Sequence, residues 1–138
     1  MKIFGIDPGT ATTGFAAIEK IDGRVEALDF GIISTRPKIS AEERLLEIAE
    51  NISELFATHC PDLVAIESLF FCKNQTTAMA VAQARGAILL EVARQKIPLV
   101  ELTPLQVKMA VTGFGRAEKK QVQKMVATIF GLEKIPRP

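Results

Sequence analysis

The run Leu63-Val64-Ala65-Ile66 restricts the fold of this chain more than any other feature. Four consecutive apolar residues are too few for a helix and lack the alternation of a half-solvated strand, so they read as a strand buried on both faces, ending at Glu67. A strand of that kind needs cover above and below, which means a layered α/β domain with helices on both sides of a sheet.

The flanking sequence supplies the layers. Residues 2–7 form a short apolar strand, Pro8-Gly9 a turn, and Thr13 to Ile21 a second strand. Asp22-Gly23 is a strong hairpin signal, leading into a third strand from Arg24 to about Thr35, so the first third of the chain is a three-stranded antiparallel meander. Ser40 and Glu43 form a capping box, and Leu45, Ile48, Ala49, Ile52, Leu55 and Phe56 recur with helical period to about Thr58. After the buried strand comes an Ala-rich helix from Thr76 to Lys96, in which Gly86 marks close packing on the sheet or a partner helix. Ile97 to Leu102 is the fifth strand. Thr103-Pro104-Leu105-Gln106 opens a helix that stops near Gly113, with Thr at N-cap, Pro at N1 and Gln at N3. The last helix runs from Ala117 to Phe130, with Val122, Met125, Val126, Ile129 and Phe130 on one face, and Gly131 closes it. The order βββαβαβαα describes a mixed five-stranded sheet, three antiparallel strands plus parallel ones, with helices on both faces. That is the ribonuclease-H-like pattern of elements.

At 138 residues and 48% apolar content, one domain spanning residues 1–138 is expected. No apolar run reaches the roughly 18 residues of a membrane-spanning helix, and Met1-Lys2-Ile3-Phe4-Gly5-Ile6-Asp7 meets an acid too early for a signal peptide, so a cytoplasmic protein is expected. Cys60 and Cys72 read as reduced thiols with a packing role, lacking the spacing of a zinc site. The net charge of +1 hides a split: residues 1–69 carry six Lys/Arg against twelve Asp/Glu, and residues 70–138 carry eleven against four. A basic second half of this kind is the sort of surface that meets nucleic acid.

Asp7 and Glu67 each close an apolar strand and precede a loop. An acid at a strand end, taken alone, is usually an ordinary solvated residue. Two at matching topological positions, on neighbouring parallel strands, would converge at the carboxyl edge of the sheet, where open α/β folds bind ligands. Two converging carboxylates suit a hard cation such as Mg²⁺, which activates water for attack on phosphate. The loop Asp7-Pro8-Gly9-Thr10 reads either as an anion-facing turn or as a locally satisfied Pro-Gly turn. Phe70 and Phe71 are adjacent aromatics in a loop, suited to stacking on bases or to packing beneath the loop. Lys73, Arg85, Lys108, Arg116, Lys119, Lys120 and Lys124 are candidates for neutralising phosphates, against the alternative of solvated helix residues. His59 reads as a surface turn residue rather than half of a dyad with Cys60.

FGIDPGTATTGFA at residues 4–16, IESLFFCKNQTTAMAVAQARG at 66–86 and TPLQVKMAVTGFGRAEKKQVQKMV at 103–126 closely resemble the bacterial RuvC Holliday-junction resolvases, and the likeness spans the chain. The resemblance implies that Asp7 and Glu67 are two of four metal-binding carboxylates, that Phe70 is the aromatic at the junction centre, and that Lys108 and Lys119 lie near the scissile phosphate. It further implies a homodimer, joined through the helix from Thr76 to Lys96, that nicks a four-way junction symmetrically. Two Mg²⁺ ions per site and cooperation with the RuvA–RuvB branch-migration machinery are also implied. One departure concerns the other two carboxylates, which in the family open a C-terminal helix in a DAADA-like stretch. This chain has no Asp after Asp62 and ends at Ile135-Pro136-Arg137-Pro138, so the expectation is a resolvase truncated before its last helix, with an incomplete metal site. The alternatives carried forward are a module that binds junctions without cutting them and a nucleotide-binding domain of the actin and sugar-kinase type.

Overall fold

The computed structural model describes residues 1–9, 11–68 and 75–133. Strands β1 (Lys2–Asp7), β2 (Thr12–Ile21) and β3 (Arg24–Ser34) form the expected meander, followed by α1 (Ala41–His59), β4 (Leu63–Glu67), α2 (Gln75–Arg94), β5 (Leu99–Leu102), α3 (Pro104–Thr112) and α4 (Lys119–Phe130). The five strands lie in the order β3-β2-β1-β4-β5. β1 pairs antiparallel with β2 and parallel with β4, and β4 pairs parallel with β5. The β2–β3 turn is Asp22-Gly23, with φ of 49° and 79°, the two positive values that a twist-matched two-residue hairpin requires.

Side chains alternate across the pleat, so Phe4, Ile6, Val64 and Ile66 share one face. Ile48, Ile52 and Phe56 of α1 and Ala84, Ile88 and Val92 of α2 join them in the core. Phe4 is its centre, stacked on Phe15 at 5.6 Å and edge-on to Phe56 at 5.2 Å, both favourable aromatic arrangements. The opposite face carries Gly5, Asp7, Ala16, Ala65 and Glu67, and is flanked by α3 through Val107. Its cover is partial: Phe30 and Ile32 of β3 are 55% and 65% exposed. The apolar face of α4 is likewise only half buried, with Met125 and Ile129 exposed.

Several local expectations need correction. Ser40 caps α1 by accepting from the Glu43 N–H at 3.3 Å, and no return bond from the Glu43 side chain is seen, so the capping box is half formed. The full reciprocal box is at α3, where Thr103 and Gln106 exchange bonds of 3.1 and 2.8 Å. The helix α2 ends at Arg94 rather than Lys96, because Lys96 turns into the left-handed region at φ 56°. Strand β5 begins at Leu99, not Ile97, since Ile97 donates back to the Val92 carbonyl to close the helix. The last helix starts two residues late, with Glu118 as its N-cap and Ala117 buried beneath it. Among the described residues nothing lies within 4 Å of a would-be Cβ at Gly86, so Gly86 does not mark close packing on the sheet there, and the reading of a partner helix is left standing. Cys60 is an exposed thiol in the left-handed C-cap of α1 rather than a packing residue, and Cys72 lies outside the described residues. His59 is not a loose turn residue: its ring is 14% exposed, ends α1, and meets Asp29 of β3 at 3.0 Å. No helix among the described residues is long and apolar enough to cross a membrane.

Candidate active site

Asp7 and Glu67 end up side by side because β1 and β4 are parallel neighbours paired from Ile3↔Leu63 to Ile6↔Ile66, one step before the two acids. Both point to the less covered face, over a floor of Gly5, Gly14, Ala16 and Ala65. Together with Phe15, Leu102 and Val107 these residues line a depression of about 360 Å³. Asp7 pairs with Gly14 across the strands, and a Cβ at Gly14 would meet the Asp7 Cβ at 3.7 Å, an ordinary van der Waals contact. Immediately after Asp7 the chain turns so tightly that a Cβ on Gly9 would fall 2.2 Å from the Thr12 carbonyl oxygen, which restricts that position to glycine. Thr10 lies outside the described residues.

The two acids are electrostatically coupled. Burial, then the neighbouring Asp7 charge and a hydrogen bond shared with Asp7, push the Glu67 carboxyl up to about 7, while the Lys108 ammonium pulls it down. Lys108 is carried by α3, which follows β5 directly, and lies close enough for its charge to act on Glu67. Two carboxyl groups held this close form a donor set suited to a cation. All the donor atoms are oxygens, which suits Mg²⁺, an ion commonly held by one or two carboxylates with water and phosphate completing its shell. Among the described residues no third His, Cys, Asp or Glu joins the pair.

The other candidates are distributed unevenly. Arg116, Lys119, Lys120 and Lys124 are exposed along the start and outer side of α4, with Lys120 and Lys124 one turn apart on the same side. Arg85 is placed differently. Its side chain is 16% exposed and its guanidinium bonds the Glu101 carboxylate at 2.6 Å, so it is committed inside the protein. Phe70, Phe71 and Lys73 lie outside the described residues. Glu101 escaped notice in the sequence. The signal was there, as one acid in the apolar run Leu99–Leu102 and one base in the apolar stretch of α2, opposite charges in two packed elements.

Comparison with known proteins adds to this geometry. The family model described as "Crossover junction endodeoxyribonuclease RuvC" matches residues 3–138. A protein of that name from Syntrophomonas wolfei is 49% identical over 138 residues, covering 100% of this chain and 80% of its own. The one from Heliobacterium modesticaldum is also 49% identical over 138 residues, with 100% and 85% covered. Among solved structures, Thermus thermophilus RuvC in complex with Holliday junction substrate superposes with a TM-score of 0.92 at 34% identity, covering 100% of this chain and 84% of that one. The yeast mitochondrial Holliday junction resolvase, at 13% identity, 91% and 63% coverage and a TM-score of 0.63, shares the fold.

Proposed function

Because this chain belongs to the RuvC family of crossover junction endodeoxyribonucleases, we propose that it resolves Holliday junctions by hydrolysing a phosphodiester at the Asp7–Glu67 site, in DNA recombination and repair. The observation that carries this reading is the meeting of two carboxylates, Asp7 and Glu67, at the carboxyl ends of adjacent parallel strands on the open face. The nucleotide-binding alternative gives way to the family assignment.

Asp7 and Glu67 would hold Mg²⁺, which when bound supplies positive charge for the phosphate oxygens and an activated water. The chain's own groups do the rest. Asp7 and Glu67 would hold the ion as carboxylates, so the proton that burial and the Asp7 charge favour on Glu67 would compete with the cation for the same oxygens. Lys108 stands where its ammonium offsets negative charge building on the phosphate. Lys119, at the first turn of α4, serves the same phosphate, while Arg116, Lys120 and Lys124 neutralise the DNA backbone further out. Phe70, Phe71 and Lys73 belong to this reading as junction contacts through the family resemblance alone.

A four-way junction has two-fold symmetry, and a two-fold dimer presents one site to each of two equivalent strands. Support for a dimer through α2 comes from its exposed stripe: Met79, Ala82, Gly86, Leu90 and Ala93 recur every three or four residues, on a side where no described residue comes within 4 Å of a Cβ at Gly86. Cooperation with RuvA–RuvB and residence in the cytoplasm follow from the same family reading.

The test is a labelled synthetic four-way junction incubated with the chain in Mg²⁺ or chelator. Paired Mg²⁺-dependent nicks are expected, lost in Asp7→Asn and Glu67→Gln with junction binding retained. Undiminished cutting by Asp7→Asn would sink the assignment, and binding without nicks by the unaltered chain would reduce the function to junction binding.

A further inference from the structure

We propose that Arg85 is a positioning residue for the reaction rather than a phosphate contact: through Glu101 it braces β5, and with it α3, which carries Lys108, against the strand that bears Glu67. This rests on the functional reading above. Strand β5 is a four-residue edge strand in which Leu99, Val100 and Glu101 are exposed, so packing alone holds it weakly. It is fixed by its parallel pairing with β4 and by Ser68, whose N–H and hydroxyl both donate to the Leu102 carbonyl at 2.8 and 3.3 Å. Those bonds act within the plane of the sheet. The ion pair of Arg85 and Glu101 adds the one described side-chain tie from β5 to a helix, reaching down from the side of the sheet away from the carboxylates.

Glu101 sits opposite Ile66, and the next pair in the register is Leu102 opposite Glu67. Thr103, the N-cap of α3, follows at once, and five residues further comes Lys108. Any outward shift of β5 therefore carries Lys108 away from Glu67. The buried guanidinium favours this role over DNA contact: with most of its surface sealed and a carboxylate already bound, Arg85 has little freedom to reach a phosphate.

The test uses Arg85→Met and Glu101→Gln, the second being the milder because Glu101 is half exposed. Both variants are expected to cut the junction about tenfold more slowly in single turnover with Mg²⁺, while junction affinity and its salt slope change less than twofold. Combined with Lys108→Ala, neither should slow cleavage beyond Lys108→Ala alone. Amide exchange should quicken across residues 99–112 and not in α1. A fall of about one in the salt slope for Arg85→Met with no effect of Glu101→Gln would overturn the proposal by making Arg85 a phosphate contact. Multiplicative losses with Lys108→Ala would overturn it too. If the unaltered chain fails to cleave, the functional reading fails separately, and the salt slope and exchange pattern still decide whether Arg85 is an internal brace.

Discussion

On one face of the sheet Phe4, Ile6, Val64 and Ile66 lie sealed beneath α1 and α2, while on the other Asp7, Glu67, Phe30 and Ile32 reach solvent wholly or in part. The same strands supply both faces, one residue apart. The covered face is built from large side chains in close contact, and stability is concentrated there. Beneath the acids the open face is built from glycine and alanine, which leaves a depression there instead of close packing. A single strand such as β1 thus separates the core residues from the acid-bearing face by the pleat alone.

That contrast can be broken most forcefully at Phe4. Phe4→Ala removes a ring with no exposed surface and three aromatic neighbours, Phe15, Phe56 and His59, and about 3–5 kcal/mol of stability should be lost in denaturant titration. A loss below about 1 kcal/mol would mean that the covered face is not the stabilising one. Asp7→Asn, three residues along, should leave the unfolding midpoint within about 0.5 kcal/mol of the parent while removing cleavage. If it destabilises as Phe4→Ala does, the two faces are not separable.

The pH dependence of stability sharpens the contrast further. The folded chain holds a proton on Glu67 up to about pH 7, whereas the unfolded chain releases it near the usual value of 4.5. The folded state therefore binds more protons between these values, and this group's contribution to stability falls as pH rises from about 4.5 to about 7, then levels off. Thermal melts across that window should show the decline, and Asp7→Asn should make it shallower by removing the neighbouring charge, while the larger share, due to burial, stays. Added Mg²⁺ should stabilise above pH 7 and progressively less below, because protons compete for the same oxygens. An unchanged slope in Asp7→Asn would show that the acids do not interact. The smallest effect is expected at Ile32, where Ile32→Thr on the exposed side of β3 should shift the midpoint by no more than about 0.5 kcal/mol.

Much of this arrangement was legible before any coordinates. An apolar run too short for a helix, closed by an acid, occurs twice, at Asp7 and at Glu67, and the meander between them forces a mixed sheet in which both acids reach the same edge. Helix limits were less legible, because Lys96 and Glu118 take their roles from local backbone turns that several residue types support. The partners of Arg85 and His59 were not legible. Each is set by what lies across from it, respectively Glu101 and Asp29, and sequence spacing carries no information about those distances.

By itself the sequence determined the periodicities, and hence the order of strands and helices, the caps at Thr103 and Gly131, and the two acids at strand ends, since each depends on residues within a few positions of one another. Tertiary structure alone decided that Glu67 is half-buried beside Asp7, with its carboxyl raised toward neutrality, and that Lys108 comes close enough to oppose that rise. It also decided that one basic residue is spent on an internal ion pair while those of α4 stay exposed. Charge and burial act through space, falling off over a few ångströms, and only the folded chain sets which groups come that close.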